Sequence, residues 1–124
     1  MMRIILMLSA LYGATGVAMG AFAAHGLKKV LSAEMLAVME TGVRYQLIHA
    51  LAMMGLVVLA GRMTSPWLSA AGWLMAAGVL LFSGSLYLLG LTGIKFFGPI
   101  TPLGGLCLIL GWLALLVAAL KENV

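Results

Sequence analysis

The chain has 124 residues, 65% of them hydrophobic and 8% charged, where a soluble domain carries roughly 25% charge. A chain this short has too much surface for its volume to hide that much apolar material from water, so its solvent is lipid. The net charge of +4 comes from seven basic and three acidic residues scattered between apolar runs. They make no basic face for a nucleic acid. Cys107 is the single cysteine, which excludes an intrachain disulfide and a cysteine-based zinc cluster.

The first apolar run, Ile4 to Ala24, is uncharged and has the ~20 residues that cross a bilayer. Met1-Met2-Arg3 ahead of it and Ala21-Phe22-Ala23 at its end resemble a secretory signal, but the run exceeds the usual 7–15-residue signal core, so it is read as an uncleaved first helix. Gly16, Gly20 and Ala24 form a small-residue stripe. Such a stripe serves either packing within one bundle or a homo-oligomer contact. His25-Gly26-Leu27-Lys28-Lys29 ends the helix, with Gly and Lys suited to its C-terminus.

Ser32 is an N-cap with Glu34 in the first turn. Met35, Leu36, Val38 and Met39 then fall mainly on one side, which predicts a short amphipathic segment at the membrane interface. A helix running unbroken from Ser32 to Ala60 is about 43 Å long, so only the part from about Val43 is expected in the hydrocarbon. Gly42 is a candidate bend. Arg62 marks the far interface. Ser65-Pro66-Trp67 reads as cap, first-turn proline and interfacial anchor. The third helix covers about 67–91. Gly93, Gly98 and Pro99 break the chain, and Thr101-Pro102 repeats the hydroxyl-then-proline start. The fourth helix covers about 102–120.

The expected fold is therefore all-α: one transmembrane domain over 1–124, an antiparallel four-helix bundle with spans 4–24, 43–60, 67–91 and 102–120 and both termini on one side. The flanking Lys and Arg residues are too evenly divided to set its orientation.

Polar residues gather on the side of the two longer connections. On a helical wheel Glu40 and Arg44 share one face, four apart in the favourable acid-first order, and an ion pair is expected. Tyr45, Gln46 and His49 share another face, one to two turns inside the immersed part. His25, Ser83, Ser85, Tyr87 and Thr101 fall on the same side of the membrane and complete a polar cluster at one interface. Ionisable groups in a membrane segment point to function. A hydrogen-bonded plug tying helices and loops together is the other reading.

Four motifs occur in order: Gly20-Ala-Phe-Ala-Ala-His25-Gly26, Glu40-Thr-Gly-Val-Arg-Tyr-Gln46 with His49, Phe82-Ser-Gly-Ser-Leu-Tyr87, and Ile100-Thr-Pro-Leu-Gly-Gly105 with Gly111-Trp112. Together they resemble the YgdD-type family of small four-helix membrane proteins. The resemblance covers nearly the whole chain. It implies a multi-pass protein of the bacterial inner membrane and supplies no substrate, reaction or cofactor.

Specific chemistries lack supporting motifs. Histidines 25 and 49, on neighbouring helices at similar depth, suggest a haem or redox site without other support. Ser83 or Ser85 with His49 lacks any nucleophile-elbow motif. No metal-ligand spacing appears. No catalytic residue, cofactor or metal is expected, and membrane lipids are the expected surroundings. The leading expectation is a non-enzymatic binding, accessory or assembly component. A small transporter or proton-coupled channel subunit gated by His49 and Glu40 is the alternative, and a redox or enzyme component using His25 and His49 is a second.

Overall fold

The computed structural model of the chain describes residues 2–122. Among them are four α-helices, α1 (Met2–His25), α2 (Ala33–Leu59), α3 (Pro66–Thr92) and α4 (Ile100–Lys121), with a 3-10 turn at Lys95–Phe97 leading into α4. All four spans are long and apolar enough to cross a membrane. At 1.5 Å per residue α4 is about 33 Å long and α2 about 40 Å, against ~30 Å of hydrocarbon.

The helix ends follow from local chemistry. Ser32 Oγ accepts from the Met35 N–H (3.2 Å) at the start of α2. Ser65 Oγ accepts from the Trp67 N–H (3.2 Å), with Pro66 opening α3. These bonds occupy N–H groups that have no partner in a helix's first turn. Gly93 ends α3 at φ 71°, a left-handed conformation open to glycine at no steric cost. The amphipathic segment is the first two turns of α2 rather than a separate helix, and α2 passes Gly42 without a break.

The expected cap at Thr101 does not form. Helix α4 starts at Ile100 with Pro99 at the cap position and no side-chain capping bond. The 3-10 turn feeds straight into the helix, and the Thr101 N–H already bonds the Gly98 carbonyl (3.2 Å). That leaves the Thr101 hydroxyl free to reach Ser85 on α3.

The helices pack in chain order, α1 on α2, α2 on α3 and α3 on α4, with a lighter α1–α3 contact. Among the described residues no close backbone approach joins α4 to α1 or to α2. The arrangement is therefore open, with α3 at its centre. Lipid tails are as apolar as leucine, so helices in a membrane associate by close packing and hydrogen bonds rather than by escaping water. The α3–α4 seam shows this. A Cβ at Gly78 would lie 3.0 Å from the Leu108 backbone nitrogen, and one at Gly104 would fall onto the backbone nitrogen of Phe82. The α1 stripe meets α2 in a similar way. A Cβ at Gly16 would lie 2.7 Å from Leu47 Cδ2, and one at Gly20 would lie 3.2 Å from Val43 Cγ1, while Ala24 is exposed. The largest core cluster, including Ile5, Met53, Leu56, Leu68, Met75 and Ala118, fills the half nearer the termini.

Candidate functional site

The middle of the bundle is held by hydrogen bonds between helices. Gln46 on α2 is the hub. Its Nε2 donates to the Tyr12 carbonyl (2.9 Å) and to Thr15 Oγ1 (2.8 Å) on α1. Its Oε1 accepts from the Tyr87 hydroxyl (2.6 Å) on α3. Thr15 in turn donates to the Leu11 carbonyl (2.8 Å). One amide thus ties three helices together, with both its N–H donors used.

Further bonds extend the clasp. Ser9 donates to the Ala50 carbonyl (2.7 Å), joining α1 to α2. The Tyr12 hydroxyl donates to the Ala76 carbonyl (2.7 Å), joining α1 to α3. Ser83 donates to the Gly42 carbonyl (2.7 Å), joining α3 to α2. Ser85 and Thr101 hydroxyls share a 2.6 Å bond between α3 and α4, and Ser85 is also 2.9 Å from the Phe82 carbonyl. A Cβ at Gly42 would lie 2.7 Å from the Tyr87 ring, so the glycine there lets Tyr87 pass to Gln46.

His49 bridges α2 to α4, whose backbones otherwise stand apart. Trp112 Nε1–H donates to His49 Nε2 (2.9 Å). An indole nitrogen only donates, so Nε2 is the unprotonated nitrogen and the proton sits on Nδ1. Nδ1–H then donates to the Tyr45 carbonyl (2.7 Å). Both ring nitrogens are occupied, and the tautomer follows from the partners. The rings of Tyr45 and Phe82 lie 4.7 Å apart, and His49 meets Trp112 edge-on at 5.8 Å. With Gly105, Leu108 and Ile109 they line a groove of about 280 Å³ between α2 and α4.

Several expected groupings separate in three dimensions. His49 turns toward α4 and Tyr45 packs on Phe82 of α3 at the edge of the groove facing α4, whereas Gln46 turns toward α1 and the Tyr87 side of α3. The cluster also sits deeper than the interface. Gln46 is the central residue of α2, and the partners on that helix run from Gly42 to Ala50, about 12 Å of depth. The two histidines are not at similar depth. The Ser9–Ala50 and Gln46–Tyr12 bonds set residues 9–12 of α1 level with His49. His25 lies 13 residues beyond Tyr12, about 20 Å along the helix, and is exposed. That separation removes the geometry of a haem held between them. Neither Ser83 nor Ser85 bonds His49.

The expected Glu40–Arg44 ion pair is not formed. Both side chains are exposed, and no pair within 4.0 Å joins them among the described residues. Among the described residues no three His, Cys, Asp or Glu side chains gather as a metal site would need. Cys107 is half-buried and free. Sequence reasoning missed Ser9, Tyr12 and Thr15, polar residues inside an uncharged run. It noted Trp112 without its partner. The available signal was that α1 carries three hydroxyls at 9, 12 and 15, spaced to share one face of a helix.

Residues 19–105 match the family model described as a protein of unknown function, DUF423. Curated relatives align along nearly their full length. The UPF0382 membrane protein SAB0533 of Staphylococcus aureus (strain bovine RF122) is 45% identical over 120 residues, covering 97% of this chain and 98% of the relative. The UPF0382 membrane protein YwdK of Bacillus subtilis (strain 168) is 43% identical over 127 residues, with the same coverage. The UPF0382 inner membrane protein YgdD of Escherichia coli (strain K12) is 40% identical over 119 residues, covering 96% of this chain and 91% of the relative. No solved structure matches the chain. Four membrane-spanning helices and full-length similarity to these proteins place the chain in the DUF423/UPF0382 family of small multi-pass membrane proteins.

Proposed function

We propose that this protein is a non-enzymatic membrane component, a small binding or assembly module whose polar centre serves to hold its helices together. One observation carries this reading: among the described residues no buried side-chain nitrogen or oxygen lacks a hydrogen-bond partner. Buried polar groups that satisfy one another are the usual state of a structural polar centre. Here the amide of Gln46, both nitrogens of His49 and the hydroxyls of Ser83 and Ser85 are all engaged. In hydrocarbon, where no water competes, such bonds determine which helices stay together.

The test is reconstitution into vesicles loaded with a pH-sensitive dye. Proton flux should equal that of protein-free vesicles. Flux above that background, abolished by His49→Leu in a variant that still folds, would overturn the reading in favour of transport.

A further inference from the structure

The outer face of α2 is left unused by the bundle. Gln46 points toward α1 and α3, and each residue advances 100° around the helix, so Glu40, Arg44, Ile48 and Leu51 all lie within about 60° of the opposite direction. All four are exposed, Leu51 at 65%. Gly55 is on the same face, and a Cβ there would have no neighbour within 4 Å.

This face carries two opposite charges, Glu40 level with the hydrocarbon edge and Arg44 inside it. Arg44 is 11 residues into α2, about 17 Å from its start. Helix α2 exceeds the hydrocarbon thickness by about 10 Å. Even if all of that excess lay on this side, the Arg44 backbone would sit about 6 Å inside the hydrocarbon. Charges at such depth are costly and normally pair with one another. Within the chain neither Arg44 nor Glu40 forms an ion pair or a side-chain hydrogen bond among the described residues.

We propose that a second copy of this chain docks on this face, α2 against α2, with Arg44 of each copy paired to Glu40 of the other. The face is self-complementary, which a two-fold interface requires: if residue i meets j, then j meets i. Two copies inserted in the same direction place the two-fold along the membrane normal. Glu40 and Arg44 are then offset by one turn, about 6 Å, a gap that a long arginine side chain spans. Ile48 and Leu51 continue the contact inward, and Gly55 lets the backbones approach. The stripe at Gly16 and Gly20 is already engaged by α2 of the same chain, whereas this face is exposed and has no ion-pair partner among the described residues. The inference rests on the assembly reading above, and its test does not depend on the polar clasp.

The experiment is disulfide cross-linking in native membranes, in a Cys107→Ala background that carries Ile48→Cys and otherwise keeps its charges. Ile48→Cys should give a covalent dimer, and Leu103→Cys on exposed α4 should not. In vesicles, Arg44→Glu should weaken dimerisation about eightfold to 300-fold, the range for the two symmetric intramembrane pairs that it removes. Adding Glu40→Arg should restore it. Absence of the Ile48→Cys dimer overturns the proposal, as does a dimer indifferent to Arg44→Glu. A monomer whose bound phospholipid, seen by native mass spectrometry, disappears in Arg44→Leu also overturns it, because Arg44 then serves a lipid phosphate. Proton flux with the cross-linked dimer intact would sink the functional reading alone.

Discussion

Replacing Gln46 by leucine keeps the side chain's size and removes its hydrogen bonding. Three interhelical bonds disappear, to the Tyr12 carbonyl, Thr15 Oγ1 and the Tyr87 hydroxyl. Hydrogen bonds between membrane helices average about 0.6 kcal/mol each, with about 1.7 kcal/mol the upper measured value. Three of them give roughly 2 to 5 kcal/mol. The Tyr87 hydroxyl is also left without its acceptor, which favours more than the lower limit. The expected loss is about 3 kcal/mol, a large part of the 5–15 kcal/mol that stabilises a typical fold. The assay is equilibrium unfolding in mixed micelles with increasing denaturing detergent, followed by the fluorescence of Trp67, Trp73 and Trp112. Tyr87→Phe alone should cost about 1 kcal/mol, and the double variant should lose less than the sum, because removing both partners leaves nothing unpaired. A Gln46→Leu variant within ~0.5 kcal/mol of the parent, the range of an ordinary surface substitution, would refute the hub. So would strict additivity with Tyr87→Phe.

The remaining expectations use the same unfolding assay. Trp112→Phe leaves His49 Nε2 without a donor and should cost about 1 kcal/mol; no change would show that this bond adds nothing to the hold on α4. Gly104→Ala forces a methyl group against the Phe82 backbone and should cost about 1–3 kcal/mol. Gly105→Ala, whose Cβ would sit at an ordinary 3.7 Å from the Phe82 ring, should be neutral or stabilising. Equal effects at these two neighbours would contradict the α3–α4 register. Glu40→Gln and Arg44→Leu should each shift the stability of the detergent-solubilised monomer by less than about 0.5 kcal/mol, because neither side chain has an ion-pair partner among the described residues. A larger loss would mean that the pair forms within one chain.

The class of the protein and the number of its spans follow from composition and run length alone. A polar backbone can cross lipid only with its hydrogen bonds closed, and a helix of ~20 apolar residues is the short-range way to close them. The ends of α2 and α3 were equally legible, because Ser32, Ser65 and Gly93 act within a few residues of themselves. Thr101 failed as a cap because its hydroxyl had a better use across the α3–α4 contact. That contact is not a local property.

Which residues form the polar centre was only partly legible. Gln46, His49, Ser83, Ser85, Tyr87 and Thr101 are interhelical bonding partners. Tyr45 takes part through its carbonyl and ring, while His25, Glu40 and Arg44 lie outside the clasp on exposed positions. In a soluble helix an apolar stripe shows which face is inside. In lipid the outside is apolar too, so the shared face of Ser9, Tyr12 and Thr15 is legible but the helix it turns toward, and the partners Ala50, Ala76 and Gln46, are not. The sequence by itself determined a four-span helical membrane protein and its local punctuation. Only the tertiary structure decided the rotation and register of each helix, because these are set by where small residues let backbones approach and where hydroxyls, amide and imidazole find partners across the gap.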